Sequence, residues 1–193
     1  MRIDQLPFEK LQELHSWISG DLSFLPQIDL CKTKKTADEA WKEKEDSWGQ
    51  GILKLLRPEL RSHGQWTTLL GEMCADYLYG LAGYTVSKPV KKECYQPDRE
   101  TPEFLIEVKT QTYFTSGTAG EKILGTPFKY ASLPELYGKP LKILCIGGAE
   151  KVCRENYGNL AGARCNDAKK RFLDYYRENG IEYVAATDLL KCK

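Results

Sequence analysis

The stretch "EFLIEVKTQTYF", residues 103–114, has the apolar character of a buried strand, yet it carries Glu107 and Lys109 two positions apart, followed by Gln111. Side chains of a strand alternate between its two faces. The even-numbered positions here are apolar or threonine and can pack against a helix, whereas the three polar side chains share the other face at the end of the strand. Charges on a buried strand are costly unless they are paired, hydrogen-bonded or metal-bound. The pattern therefore predicts a site at the C-terminal end of this strand.

A second carboxylate, Asp98 in "QPD", precedes Glu107 by nine positions. A short strand ending at Asp98, a turn over "RETP" and a return along the Glu107 strand would form a hairpin that brings the two carboxylates together. With the carbonyl of Val108 they would make an all-oxygen set suited to Mg²⁺. Lys109 beside a metal-bound water could orient it or stabilise developing negative charge. This combination fits phosphodiester hydrolysis.

Periodicity, capping and turn residues predict an α/β fold, a mixed central sheet with helices on both faces. Helices are expected over 5–20, from the capping box of Thr36 and Glu39 onward, from Trp66 to Gly80 or Gly83, and over 165–180 with Asn166 or Asp167 as the cap. Strands are expected over 84–90, near 94–98, and over 103–114, 140–149 and 181–187, with helix plus loop over 119–138. The helical region 1–65 is expected to belong to the same domain as a core at 66–193, and to dimerise, contact DNA, or both.

Length and composition indicate one soluble domain without a targeting segment. The 193 residues suit a single core, and no long apolar run at the N-terminus predicts a signal peptide or membrane span. Seven cysteines without a CxxC, and only two histidines, argue against structural zinc and favour a reduced, cytoplasmic protein. The net charge of +1 neither supports nor excludes nucleic-acid binding, because binding needs a basic patch rather than a basic total.

Pro97-Asp98 followed by Glu107-Val108-Lys109 resembles the PD-(D/E)xK motif of the restriction-endonuclease-like nucleases. The resemblance covers about residues 66–150. It implies that Asp98, Glu107 and the Val108 carbonyl bind the metal and that Lys109 assists the nucleophile.

The same resemblance extends to two further positions. In this superfamily a glutamate on the helix before the motif often helps to bind the metal or its water, and Glu72 in "LLGEMCADYL" matches that position. The polar residue two positions after the lysine, here Gln111, is often part of the site as well.

The segment "EVKTQTYFTSGTAGEKILGTPFKYA", residues 107–131, most resembles type II restriction endonucleases. That resemblance implies a restriction-endonuclease-like core and a homodimer that cuts double-stranded DNA at a short palindrome with Mg²⁺, alongside a cognate DNA methyltransferase. One departure is the short gap between Asp98 and Glu107, near the low end for the superfamily, which leaves little room for a long hairpin.

Each predicted site residue also has a structural interpretation. Glu107 and Lys109 could form an exposed same-face pair on an edge strand, and Asp98 could be a turn residue after proline. Glu72 could be favoured by the helix macrodipole, and Gln111 is equally open to both interpretations.

Contacts to DNA are predicted only by residue class. The glycine-rich "TSGTAGEK", residues 115–122, lacks the spacing of a P-loop and is expected to be a turn and helix cap, although Glu121 and Lys122 could reach DNA. His63 is expected to be structural or phosphate-contacting rather than catalytic. Other candidates for phosphate contact are Arg57, Arg61, Lys88, Lys91, Lys92 and residues 169–172.

A Mg²⁺-dependent type II deoxyribonuclease is the leading hypothesis, and two alternatives remain. A structure-selective nuclease such as a junction resolvase would share the fold, because fold does not fix function, but a more basic surface would be expected. The third hypothesis, a non-catalytic DNA-binding protein, conflicts with the intact set of Asp98, Glu107 and Lys109.

Overall fold

The computed structural model describes residues 1–28, 36–115, 119–160, 162 and 164–191. The helices are α1 Phe8–Ser19, α2 Ala37–Leu56, α3 Trp66–Leu81, α4 Ala119–Leu124, α5 Thr126–Lys129, α6 Leu133–Tyr137, α7 Gly148–Val152, α8 Asp167–Glu178 and α9 Ala186–Leu190. A 3₁₀ turn at Ile3–Gln5 precedes α1, and a π-helical turn at Cys153–Tyr157 follows α7. The strands are β1 Arg99–Glu100, β2 Leu105–Gln111, β3 Leu141–Gly147 and β4 Ile181–Ala185.

The strands form one mixed sheet in the order β1-β2-β3-β4. β1 pairs with β2 antiparallel, whereas β2, β3 and β4 are parallel, with Lys109 opposite Cys145 in the register. The predicted α/β class with a mixed sheet between helices is confirmed. Because the carboxyl ends of parallel strands meet at one edge of a sheet, the polar end of β2 lies where open α/β sheets bind ligands.

The two faces of β2 alternate as predicted. Ile106 belongs to a buried cluster with Trp17 of α1 and Leu70 of α3, and Leu105 belongs to a second cluster with Ile123 of α4. The first cluster joins the N-terminal helices to the sheet, and the second covers the face that carries Glu107.

The predicted helix boundaries agree closely with the structure. The Thr36 side chain accepts a hydrogen bond from the Glu39 N–H in a reciprocal capping box, and Asn166 caps α8. α3 ends at Leu81, two residues before Gly83, whose φ of +87° is accessible to glycine at little cost. Within the described part of the chain, no helix combines the length and apolar character needed to span a bilayer.

Two predicted strands are wrong. Residues 84–90 contribute only an isolated bridge between Ser87 and Glu100, and the segment near 94–98 only one between Lys92 and Tyr95. The strand that pairs antiparallel with β2 is Arg99–Glu100, so Asp98 precedes this strand rather than ending it. Pro97 has no N–H to donate to a ladder, and the Val108 N–H of β2 donates to the Asp98 carboxylate rather than to a backbone carbonyl.

Gly71 allows α3 to approach β2 closely. A Cβ at this position would overlap the Thr110 hydroxyl and lie 3.0 Å from Thr110 Cβ and 3.2 Å from Val108 Cγ1. Gly71→Ala is therefore expected to lower the free energy of unfolding by about 1–3 kcal/mol, measured by urea denaturation. Gly80 in the same helix is the control, since a Cβ there meets nothing within 4 Å. Equal effects of the two substitutions would contradict the packing argument.

Glu45 of α2 holds the chain where it leaves β2. The side chain is fully buried. Its carboxylate accepts hydrogen bonds from Trp17 Nε1 at 2.7 Å and from the Tyr113 N–H at 2.9 Å. Burial outweighs these hydrogen bonds and raises the pKa of Glu45 to about 7.

This raised pKa predicts a pH dependence of stability. Because the folded state holds the Glu45 proton more tightly than the unfolded state, its contribution to stability is present at low pH and is lost as pH rises through about 7. Glu45→Gln, which cannot titrate, is expected to reduce the loss in unfolding free energy between pH 5 and pH 8 by roughly 2 kcal/mol. Urea denaturation at both pH values checks this, with exposed Glu103→Gln as the control. An unchanged pH dependence in Glu45→Gln would contradict it.

Candidate active site

A cleft of about 410 Å³ opens beside the C-terminal half of β2. It is lined by Thr68 and Glu72 of α3, by Asp98, by the β2 residues Glu107, Val108, Lys109, Thr110 and Gln111, and by Lys122 and Ile123 of α4. All six residues predicted for the site lie around this one cleft.

Asp98 lies against the edge of β2 where the β1 ladder stops. β1 pairs with β2 only as far as Ile106, and beyond it the Asp98 carboxylate accepts the Val108 N–H at 2.7 Å. The N–H and C=O of a residue in a strand point to the same side. The Val108 carbonyl therefore faces the same open edge as the Asp98 carboxylate.

The two carboxylates of the motif are close enough to repel. Burial and, next, the charge of Glu107 raise the pKa of Asp98 to about 6, although the hydrogen bond from Val108 opposes this. A site that concentrates negative charge in this way is relieved by a bound cation.

Glu107 and Lys109 form a partly buried ion pair in the C-terminal half of β2. Lys109 Nζ lies 2.8 Å from Glu107 Oε1, and Glu107 is only 5% exposed. β2 has β3 on one side and the short β1 on the other, and the pairing with β1 stops at Ile106. Because Glu107 is buried, the alternative of an exposed pair is wrong, and pairing with Lys109 inside the cleft offsets the cost of the buried charge.

Glu72 enters the cleft from α3 but is held by Arg99. Arg99 Nη1 lies 2.9 Å from the Glu72 carboxylate, and Arg99 Nε lies 2.7 Å from Asp76. The same guanidinium donates to the Asp98 carbonyl at 2.7 Å. Arg99 thus links α3 to the residue before β1, a role that no pattern in the sequence predicted.

Gln111 contributes an acceptor without a partner. Its Oε1 is buried and makes no hydrogen bond to any residue that the structure describes. A buried acceptor left in this state costs about 1–3 kcal/mol. A water or a donor on a bound molecule would satisfy it.

The donor set fits Mg²⁺. Within the described ranges, no three His, Cys, Asp or Glu side chains lie close enough to enclose a metal ion. Mg²⁺ does not require such a cage, because it is usually bound by one or two carboxylates and keeps several waters. Asp98, Glu107 and the Val108 carbonyl supply an oxygen set of that kind.

The other predicted DNA contacts lie elsewhere. None of Arg57, Arg61, Lys88, Lys91, Lys92 and residues 169–172 lines the cleft. His63 Nε2 lies 3.3 Å from the Arg57 carbonyl, in keeping with a structural role. Of the glycine-rich segment, residues 116–118 lie outside the described residues, and α4 begins at Ala119.

Comparison of the chain with protein-family models, curated proteins and solved structures found no match. A functional hypothesis therefore depends on the cleft itself. There, Asp98 and Glu107 are close enough to interact, Lys109 is paired with Glu107, and a backbone carbonyl faces the open edge of β2.

Proposed function

We propose that the protein is a Mg²⁺-dependent deoxyribonuclease that hydrolyses phosphodiester bonds of double-stranded DNA, in the manner of type II restriction endonucleases. The observation that carries the proposal is the convergence of Asp98, Glu107 and Lys109 in one cleft at the carboxyl end of β2. The proposal includes a restriction-endonuclease-like core within residues 66–193.

The acidic side of the cleft would hold the metal. Asp98, Glu107 and the Val108 carbonyl are the residues proposed to bind it. When bound, Mg²⁺ lowers the pKa of a coordinated water and neutralises charge on a phosphate oxygen. The hydrogen bond from the Val108 N–H keeps Asp98 fixed at the strand edge, so its carboxylate needs little rearrangement.

Lys109 supplies the positive charge next to the reacting group. Its amine is held by Glu107 at 2.8 Å, which fixes it beside the carboxylates. An ammonium placed in this way can orient the attacking water or stabilise negative charge that develops on the phosphate. Gln111 is proposed to accept a hydrogen bond from the same water or from the substrate, and Glu72 to support the metal through water.

The proposed enzyme acts as a homodimer at a defined DNA sequence. Cutting both strands at a short palindrome requires two active sites related by a two-fold axis, and hence a homodimer. A cognate DNA methyltransferase is the expected functional partner of such an enzyme.

Cleavage specificity tests the proposal. The purified protein is incubated in Mg²⁺ with a sequenced plasmid and, separately, with a four-way DNA junction, and the fragment ends are mapped. We expect plasmid fragments whose ends share one short sequence, and no preference for the junction. Cleavage that follows the junction whatever its sequence would replace this proposal with a structure-selective nuclease.

A further inference from the structure

Among the residues that the structure describes, three cationic side chains lie in or against the cleft, and two of them are already paired. Lys109 is 2.8 Å from Glu107. Arg99 is bound to Glu72 at 2.9 Å and also to Asp76. The third, Lys122, lines the cleft. Its amine makes no ion pair or hydrogen bond with any residue in the described part of the chain. Of these three cations, Lys122 is therefore the one available to an incoming anion.

The backbone that carries Lys122 is well held. The Thr126 hydroxyl donates to the Lys122 carbonyl at 2.9 Å, and the Tyr183 hydroxyl donates to the next carbonyl, that of Ile123, at 3.0 Å. Ile123 is 3% exposed and packs in the core cluster on the Glu107 face of the sheet. Lys122 thus extends from a fixed point on the wall of the cleft, although its side chain is exposed.

The carboxylates of the cleft repel an approaching polyanion. Asp98, Glu107 and Glu72 place three carboxylates where a polyanion would have to enter. Lys109 and Arg99 offset two of them by direct pairing. DNA approaching the carboxylates meets repulsion unless another positive charge faces its phosphates.

We propose that Lys122 binds a backbone phosphate of the DNA strand that lies in the cleft. The inference rests on the proposed nuclease function and gives Lys122 a separate role from Lys109. Lys109 serves the reacting centre, and Lys122 holds the strand against it through a non-bridging phosphate oxygen.

The salt dependence of DNA binding tests this role. Binding of a fluorescein-labelled 30-bp duplex is measured by anisotropy in EDTA, over a range of NaCl concentrations, for the wild-type protein and for Lys122→Ala. Each phosphate contact contributes about 0.9 to the slope of log K against log salt. Lys122→Ala is expected to lower the slope by about 0.9, so the ratio of the wild-type to the variant binding constant is expected to be about eightfold larger at 0.1 M salt than at 1 M. Lys122→Arg is expected to restore the slope.

Lys54→Ala is the matched control, because Lys54 is an exposed lysine on α2 that does not line the cleft. It removes the same charge and is expected to leave the slope unchanged. A wild-type slope in Lys122→Ala, or an equal decrease in both variants, overturns the proposal. If the wild-type protein neither binds the duplex at any salt concentration nor cuts plasmid DNA in Mg²⁺, the nuclease function on which the proposal rests is overturned instead. Circular dichroism of Lys122→Ala and Lys54→Ala shows whether a loss of binding reflects unfolding.

Discussion

Replacing Glu107 with glutamine is expected to lower the rate of DNA cleavage in Mg²⁺ by at least about a hundredfold, while the protein still folds and binds duplex DNA. The amide keeps the shape of the side chain and can still accept a hydrogen bond from Lys109, but it removes one of the two carboxylates at the proposed metal position. The variant is therefore also expected to lose measurable Mg²⁺ binding. Single-turnover cleavage and isothermal titration calorimetry with Mg²⁺ measure the two effects separately.

The chain offers a control in a second Lys–Glu ion pair, which joins two neighbouring strands of the same sheet. Glu182 of β4 lies 3.3 Å from Lys142 of β3, outside the cleft. Glu182→Gln is expected to cut DNA and bind Mg²⁺ as the wild-type protein does. A folded Glu107→Gln that cuts at the wild-type rate would remove Glu107 from the active site.

Replacing Lys109 with methionine is also expected to lower the cleavage rate by at least about a hundredfold. Unlike Glu107→Gln, however, this variant is expected to keep its affinity for Mg²⁺. Lys109 now competes with any cation for the Glu107 carboxylate, since its amine lies 2.8 Å away. Without that amine, Mg²⁺ is expected to bind at least as tightly as in the wild-type protein. Loss of activity with retained metal binding would separate the role of Lys109 from that of the carboxylates.

Lys109→Met is also expected to destabilise the protein in the absence of metal. Removing one partner of a buried pair costs about 3–5 kcal/mol. The cost here is smaller because the Lys109 side chain is 23% exposed and solvent screens the pair. Mg²⁺ should return part of that stability, so the rise in melting temperature on adding Mg²⁺ is expected to exceed that of the wild type. Differential scanning fluorimetry measures it, with Lys142→Met as the control. A Lys109→Met protein that fails to bind Mg²⁺ would contradict this account.

Local patterns were enough to place the central strand and its polar end. Alternation predicted that Ile106 faces the helices and that Glu107 and Lys109 share the other face, as the structure has them. The helix caps at Thr36 and Asn166 could also be predicted, because a capping side chain accepts a hydrogen bond from a backbone N–H only three residues away.

Contacts distant in sequence could not be predicted in the same way. The bond of Arg99 to Glu72 spans 27 positions, and that of Glu45 to Tyr113 spans 68. Neither follows from a periodic pattern, because each depends on how whole helices pack against the sheet. The short helix α7 begins at Gly148, inside the range predicted for the strand over 140–149, and was missed because five residues are too few to show a helical period.

Incubation of supercoiled plasmid DNA with the wild-type protein, in Mg²⁺ and in EDTA, tests the central claim most directly. We expect conversion to linear DNA or discrete fragments in Mg²⁺ and intact supercoiled plasmid in EDTA. Plasmid left intact in both, or cut equally well in EDTA, would contradict a Mg²⁺-dependent nuclease centred on Asp98, Glu107 and Lys109.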